Sequence, residues 1–443
     1  MSPDFKRSRQ PRIFDPASLA PRQVTRRHVL GGLLASGAAV VLPSTARAAA
    51  TGAGVIEHPR VLWMKNPSRE AVISWTTRQA GEKHRIYYDT ELRGGNRAAY
   101  SDQADSFKDG MFTMVAADEE FVKPGYYHHV HLKGLEPGTR YFILIESDGE
   151  VSREFNFITA LEEDVPFQLL FGGDSRIQGQ TPYVHTDRRK MNDRMRTLFE
   201  ENSRVLALVH GGDYCERAEW RYLDAWLTDH ERVITEDGRM LPIIPARGNH
   251  DVQVGFEEMF PWPGMERSYY YTTHLSPAMA LVTLNTEISM SGDQRKWLRE
   301  ELPGLREANR WLMASYHRPA HPSVRNMQDG ESRRRNFVPH FEENNLDLAC
   351  ESHDHALKRT VPIRDGKHDP ENGIIYIGDG GLGVPQRTPD PDRWWFKGGE
   401  SVVTAAHHVH LFDVGEEEFR ARAFGMEGDV LDDFAVRSKQ GRG

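Results

Sequence analysis

Cysteine is nearly absent: Cys215 and Cys350 are the only two in 443 residues. A fold built on a disulfide framework is thereby excluded. Long apolar runs are missing as well. The most apolar stretch, Val29 to Leu42, is shorter and more diluted by glycine and alanine than the roughly 20 residues a membrane-spanning helix needs, and no later segment exceeds it. The chain has no stable membrane insertion by this criterion. There is no long block of single-sign charge, and 56 Lys and Arg against 65 Asp and Glu leave a net charge of −9. Such a balance argues against wrapping nucleic acid or binding anionic lipid. What is present is ordinary globular material, 38% hydrophobic and 10% aromatic, in a chain long enough for two or three buried cores.

The first 48 residues differ in texture. Arg26-Arg27 precedes the weakly apolar run, and Pro43 and the small-residue pattern Ala46-Arg47-Ala48 follow it. This order predicts a cleaved twin-arginine signal peptide over 1–48, with the twin-arginine export machinery as partner and a periplasmic or secreted destination. Cleavage would remove eight basic and two acidic residues, leaving 48 against 63 and a net charge of −15. Because that route carries proteins folded beforehand in a reducing compartment, Cys215 and Cys350 are expected as free, buried thiols rather than a bridge.

From 55 to 160 the pattern is all β. RVLWM, AVISWTT, HRIYYDT, MFTMVAA, YYHHVHLKGL, TRYFILIES and REFNFIT are short, β-branched and aromatic, and separated by turn signals such as LEPGT and SDGE. Seven such strands predict an immunoglobulin-like sandwich. LEEDV, 161–165, reads as the linker. From 166 to about 435 apolar runs that end in glycine (FQLLFGG, VLALVHGG, LPIIPARG) alternate with helical patterns over DRRKMNDRMRTLFEEN, ERAEWRYLDAWLTDHERVI and SGDQRKWLREEL. Strands of this kind are covered on both faces, which predicts a layered α/β domain ending in a polar tail. Ser291 is the expected N-cap of the third helix. HHVHL occurs twice, at 128–132 and 407–411, and is read as ordinary strand, since neither copy has an acidic residue or glycine turn beside it.

Five apolar strands of the second domain end in polar clusters, where open α/β sheets place their ligands. These are GGDSR with Asp174, HGGDYCE with Asp213, RGNHD with Asn249, His250 and Asp251, SYHRPAH with His317, and SHDH with His353 and His355. Two aspartates, an asparagine and three histidines form a mixed N/O set suited to Fe, Zn or Mn rather than to Ca or Mg. They are too many for one tetrahedral ion. They suit two transition-metal ions sharing a carboxylate, the arrangement that clamps a phosphoryl group.

This ordered set, with GDQRKWLREEL and HALKRT in the intervals, resembles the calcineurin-like metallophosphoesterases. The fibronectin type III-like front domain, IIYIGDGG and the closing GDVLDDF make the chain most similar to the purple acid phosphatase branch. The resemblance implies a four-layer αββα domain behind the sandwich. It also implies two divalent or trivalent ions: Asp174 and His355 on the first, Asn249, His317 and His353 on the second, and Asp213 shared. His250 would serve as general acid near the leaving oxygen, oriented by Asp251, with a metal-bound hydroxide attacking phosphorus in line.

Three positions depart from the pattern, one being Ser352 where GHxH has its glycine. Purple acid phosphatases carry a tyrosine three residues after the bridging aspartate, where this chain has Glu216; other members carry a histidine two residues after the first aspartate, where it has Arg176. Glu216, Tyr214, Cys215 and solvent are candidates for the open ligand position. Glu216 also reads as an N-terminal charge on the following helix. Arg176 is a candidate for substrate phosphate, or for an ion pair with a nearby carboxylate. The basic loop with Arg325, Arg333, Arg334 and Arg335 is either substrate-facing or solvated. The expected function is an exported phosphatase acting on small phosphomonoesters. The alternatives are a phosphodiesterase on the same ions, or a non-catalytic cell-surface binding protein with a degenerate domain.

Overall fold

The computed structural model describes residues 55–114, 122–177, 186–251, 253–265 and 268–441. The expected signal segment, 1–48, lies outside them. Among the described residues no helix is long and apolar enough to cross a membrane.

The front domain carries nine strands between Glu57 and Ile158, in two sheets. Two of them, Asp102–Asp105 and Lys108–Met111, are polar and mostly exposed, so no apolar alternation announces them. MFTMVAA, expected as a strand, leaves the sheet after Met111. Thr113 turns instead to the carboxylate of Glu258 in the second domain, through its N–H at 3.0 Å and its hydroxyl at 2.7 Å.

The second domain is layered, and the two-residue alternation of its strands shows why. Leu169 and Phe171, Ala207 and Val209, Leu281, Met313, Leu348 and Cys350 point into one buried cluster between two sheets. Their neighbours Leu170 and Leu208 point the other way, onto Met191, Met195, Leu198 and Phe199 of helix Thr186–Glu201. On the second sheet Val282, Leu312, Ala314 and Ala349 face outward against Leu298, Leu302, Phe337 and Phe341. Helix, sheet, sheet and helix follow in that order. Cys350 and Cys215 are both free and buried, and Cys350 Sγ lies 3.7 Å from Met313 Sδ in the inter-sheet core.

The first sheet does not stop at the domain boundary. Its ten strands run from Val430–Val436 through Phe167–Gly172, Val205–His210 and Ile243–Pro245 into Glu57–Leu62 and Glu70–Thr77 of the sandwich. The joining pair is parallel, Leu62 opposite Ile243, with Trp63 N–H donating to Ile243 O at 2.9 Å.

Three helix and strand expectations need correction. Gly292, not Ser291, occupies the N-cap of helix Asp293–Ala308, and no side chain caps it. Helix Trp220–His230 starts four residues after Glu216, so Glu216 is not in its first turn. The hairpin Tyr271–Ser276 and Met279–Thr283, and the closing strand Val430–Val436, went unanticipated; the latter is an edge strand whose Asp432 and Asp433 obscure any apolar pattern.

Leu281 is fully buried between the sheets, so Leu281→Ala is expected to cost about 2–5 kcal/mol in urea unfolding. Val430→Ala, at 55% exposure, is expected to stay within about 0.5 kcal/mol. Equal effects of the two would contradict the layer assignment.

Candidate metal centre

All five polar clusters lie where their strands end, on one rim of the two sheets. The backbone there is unusual. Asp174, Asp213, His353 and His355 have φ of 56°, 57°, 83° and 60°, the left-handed region that non-glycine residues rarely occupy. Glycines make room for them. A side chain on Gly248 would collide with Asp213 Oδ1, and one on Gly380, itself at φ 95°, with the Asp174 carboxylate. Ser352, which stands where the family pattern has glycine, is not among the residues of positive φ, and its hydroxyl fills the space beside Gly173 and Gly211.

The ligand types gather into two buried groups, Asp174, Asp213 and His355, and Asp213, His317 and His353; within each, the ligand atoms lie within 4.8 Å of one another. Asp213 belongs to both. His355 Nε2 is 3.2 Å from Asp174 Oδ1, and His317 Nε2 is 3.3 Å from Asp213 Oδ1. Asn249 joins the second group, its Oδ1 3.2 Å from His317 Nε2, and His353 Nδ1 lies 3.1 Å from the same nitrogen. The far sides of two rings are fixed by carbonyls: His317 Nδ1 donates to Gly211 O at 2.9 Å and His355 Nδ1 to Pro385 O at 3.2 Å. Each therefore presents Nε2 to its cluster, the outer-shell arrangement typical of ligating histidines. Asp174 Oδ1, Asp213 Oδ2 and His355 Nε2 are buried without hydrogen-bond partners. Unsatisfied buried oxygens and nitrogens of this kind are costly unless a cation takes them up, so the donor set fits two metal ions.

Charge follows from this crowding. Burial alone would lower the His317 pKa, but the Asp213 and Asp174 carboxylates outweigh it and raise it to about 10. Burial would raise Asp213, yet His317 beside it holds that carboxyl well below its ordinary range. Burial and the Asp213 charge push Asp251 up to about 7.

Asp251 does not orient His250, as the resemblance implied. Its carboxylate accepts the backbone N–H groups of Asp213 at 2.7 Å, Gly248 at 2.8 Å and Tyr214 at 3.0 Å, and so clamps the turn that delivers the shared aspartate. His250 is held instead by its Nδ1–H, which donates to Glu216 O at 2.9 Å and leaves Nε2 free. Its backbone N–H donates to Asp213 Oδ1 at 2.9 Å.

Two of the departures from the family pattern pair with each other. Arg176 forms an ion pair with Glu216, and its Nε lies 3.4 Å from Asp213 Oδ2. Tyr214 is absent from the rim: its ring stacks on His210 at 3.9 Å and packs against Trp226 and Phe260. Cys215 Sγ is turned to Tyr222 O at 3.4 Å, and burial pushes its thiol above the ordinary range. Of the basic loop, Arg333 and Arg334 are spent on the carbonyls of Pro319 and Ala320, and Arg335 on Glu331. Arg325 alone of these reaches the rim, its Nε 3.4 Å from Asp354 Oδ1. Arg318, 3.4 Å from His353 Nε2 and paired with Glu287, was not singled out from sequence, although it directly follows His317.

The HHVHL copies stay structural. His128 does find an acidic neighbour, Asp109, at 2.7 Å, with His84 close by. The two rings stack face to face at 3.5 Å, however, and every ring nitrogen is engaged, with Asp109, Thr77, Ser147 or Ala80. Parallel rings do not converge on a shared ion. His408 and His410 are buried in a strand, His410 against Phe171 and Phe412.

Comparison with known proteins bears on this geometry directly. The family profile "Purple acid Phosphatase, N-terminal domain" matches residues 56–159, and "Calcineurin-like phosphoesterase" matches 184–357; together they span more than half the chain. The chain belongs to the calcineurin-like phosphoesterases, with the domain order of the purple acid phosphatases. It is a metal-dependent phosphoric ester hydrolase. Purple acid phosphatase 1 of Ipomoea batatas is 25% identical over 352 residues, 71% of this chain and 69% of the relative. Acid phosphatase type 7 of Mus musculus is 24% identical over 418 residues, 84% and 88% of the two chains. Among solved structures, a purple acid phosphatase from yellow lupin (Lupinus luteus) seeds superposes with a TM-score of 0.71 at 17% identity, over 86% of this chain and 74% of that one. The phosphoesterase fold is thus shared across both domains.

A ligating histidine must be neutral, whereas His317 free of metal keeps its proton up to about pH 10. Metal loading of this phosphoesterase should therefore release a proton, and its affinity should rise by about tenfold per pH unit between pH 7 and 9. Competition against a chelator at three pH values measures this; an affinity flat with pH would contradict it.

Proposed function

We propose that this chain is an exported dinuclear-metal phosphatase that hydrolyses small phosphomonoesters. The observation carrying the proposal is the sharing of Asp213 between two ligand clusters with His250 Nε2 left free beside them. Asp174 and His355 would hold one ion, Asn249, His317 and His353 the other, and Asp213 both. Such a pair, of Fe, Zn or Mn, would supply an activated water and offset charge on the phosphoryl oxygens. The chain's own groups do the rest. Glu216 O keeps a proton on His250 Nδ1, so Nε2 is the nitrogen that, in the imidazolium form, would carry the proton passed to the leaving oxygen. Arg176 and Arg318 put positive charge on either side of the ligands, beside Asp213 and His353. A cationic surround favours the dianion of a monoester over the monoanion of a diester.

Export through the twin-arginine route rests on Arg26-Arg27 and the segment after them. Loading of the ions before translocation is consistent with the buried, thiol-free ligand set.

Purified from its native export route, the protein should contain two transition-metal ions by elemental analysis and hydrolyse an aryl phosphate faster than the matching bis-aryl diester. Asp213→Ala should abolish both metal pairing and turnover, and His250→Ala should lower kcat by about 10²–10⁴ while the ions remain. Full turnover in Asp213→Ala would sink the mechanism. Replacing Arg26 and Arg27 by lysine should retain the protein in the cytosol on fractionation; normal export of that variant would refute the route.

A further inference from the structure

Behind the SHDH segment the chain lays a loop, Asp379 to Arg387, that packs in part against the rim. Asp379 O accepts the N–H of His355 at 2.7 Å, Pro385 O accepts its ring, and Arg387 N–H returns to His355 O at 2.9 Å. The loop thereby anchors the half-buried side chain of Arg387 against the histidine segment, with Nη1 donating to His353 O at 3.3 Å. Three other guanidinium groups share this rim. Arg318 is paired with Glu287, Arg325 with Asp354, and Arg176 with Glu216 and Asp213. Among the described residues no carboxylate lies within ion-pair distance of Arg387; Asp354 and Asp174 act on it only from farther off. A half-buried cation beside other cations, fixed by its loop and, among the described residues, in ion-pair contact with no carboxylate, is a binding group for an anion.

We propose that Arg387, with Arg325 beside it, is a specificity-determining residue that binds a second anionic group carried by the phosphate ester. The proposal rests on the phosphatase reading above and narrows its substrate class. The scissile phosphoryl goes to the ions, while a carboxylate or a further phosphoryl on the same molecule meets Arg387. The shared chemistry is a compact oxyanion able to take two N–H donors from one guanidinium.

Non-hydrolysable ligands test this without requiring turnover. Phenylphosphonate, 4-carboxyphenylphosphonate and methylenediphosphonate are titrated calorimetrically into the metal-loaded protein and into its Arg387→Gln and Arg387→Lys variants. At least one of the two ligands that carry a second anionic group should bind the unaltered protein tenfold or more tightly than phenylphosphonate. Which one gains identifies the anion as carboxylate or phosphoryl. In Arg387→Gln that ratio should fall below threefold, and in Arg387→Lys it should recover in part. A purely structural role for Arg387 would weaken all three ligands alike and leave the ratio intact, which overturns the proposal. A ratio near one in the unaltered protein overturns it as well. If the metal-loaded protein binds none of the three and leaves aryl phosphates intact, the phosphatase reading itself fails, an outcome distinct from equal binding of all three.

Discussion

The carboxylate of Asp213 has to reach two ligand clusters at once, and the surrounding structure is organised around keeping it there. Its own backbone is left-handed, as are those of Asp174, His353 and His355. Residues held in such regions cost of order 1–3 kcal/mol each and persist only where their surroundings over-determine them. Those surroundings are identifiable. Asp251 takes the backbone N–H groups of Asp213, Tyr214 and Gly248, on the two loops that meet at Asp213, and Gly248 allows the close approach. Asp251 is thus a positioning residue, and the strain it holds in place is the geometric precondition for sharing one carboxylate.

Crowding three carboxylates, Asp174, Asp213 and Asp251, into a space with almost no solvent contact would be unfavourable on its own. Cations resolve it. Part of that cationic charge is built in, through Arg176 and His317, and the remainder is what the unsatisfied oxygens of Asp174 and Asp213 invite. Glu216 links the two kinds of chemistry: its carboxylate holds Arg176 against the shared aspartate while its carbonyl holds the His250 ring. The position that departs most from the purple acid phosphatase pattern therefore positions His250, and Tyr214 next to the aspartate is committed to an aromatic stack.

Much of this was legible in the sequence because strand ends and ligand types coincide. Five apolar runs, three of them ending in glycine, each delivered a polar residue, and the layer order followed from their two-sided burial. What was illegible has physical causes. The polar strands Asp102–Asp105 and Lys108–Met111 sit at edges, where alternation is weak. The partner of His250 is a backbone carbonyl, which carries no residue identity to read. Asp109 meets His128 only across strand pairing, 19 positions apart, so no local pattern could show it. Arg387 is marked by what fails to surround it, a property of the folded chain and not of any motif.

The sheet that crosses the domain boundary gives the front sandwich a meaning beyond accessory. Strand Glu57–Leu62 is the neighbour that covers the edge of Ile243–Pro245, three residues before the turn carrying Gly248 and Asn249. Open strand edges are templates for foreign strands. The sandwich accordingly acts as a lid on an adhesive seam, and a chain severed at the linker would yield two sticky halves in place of two independent modules.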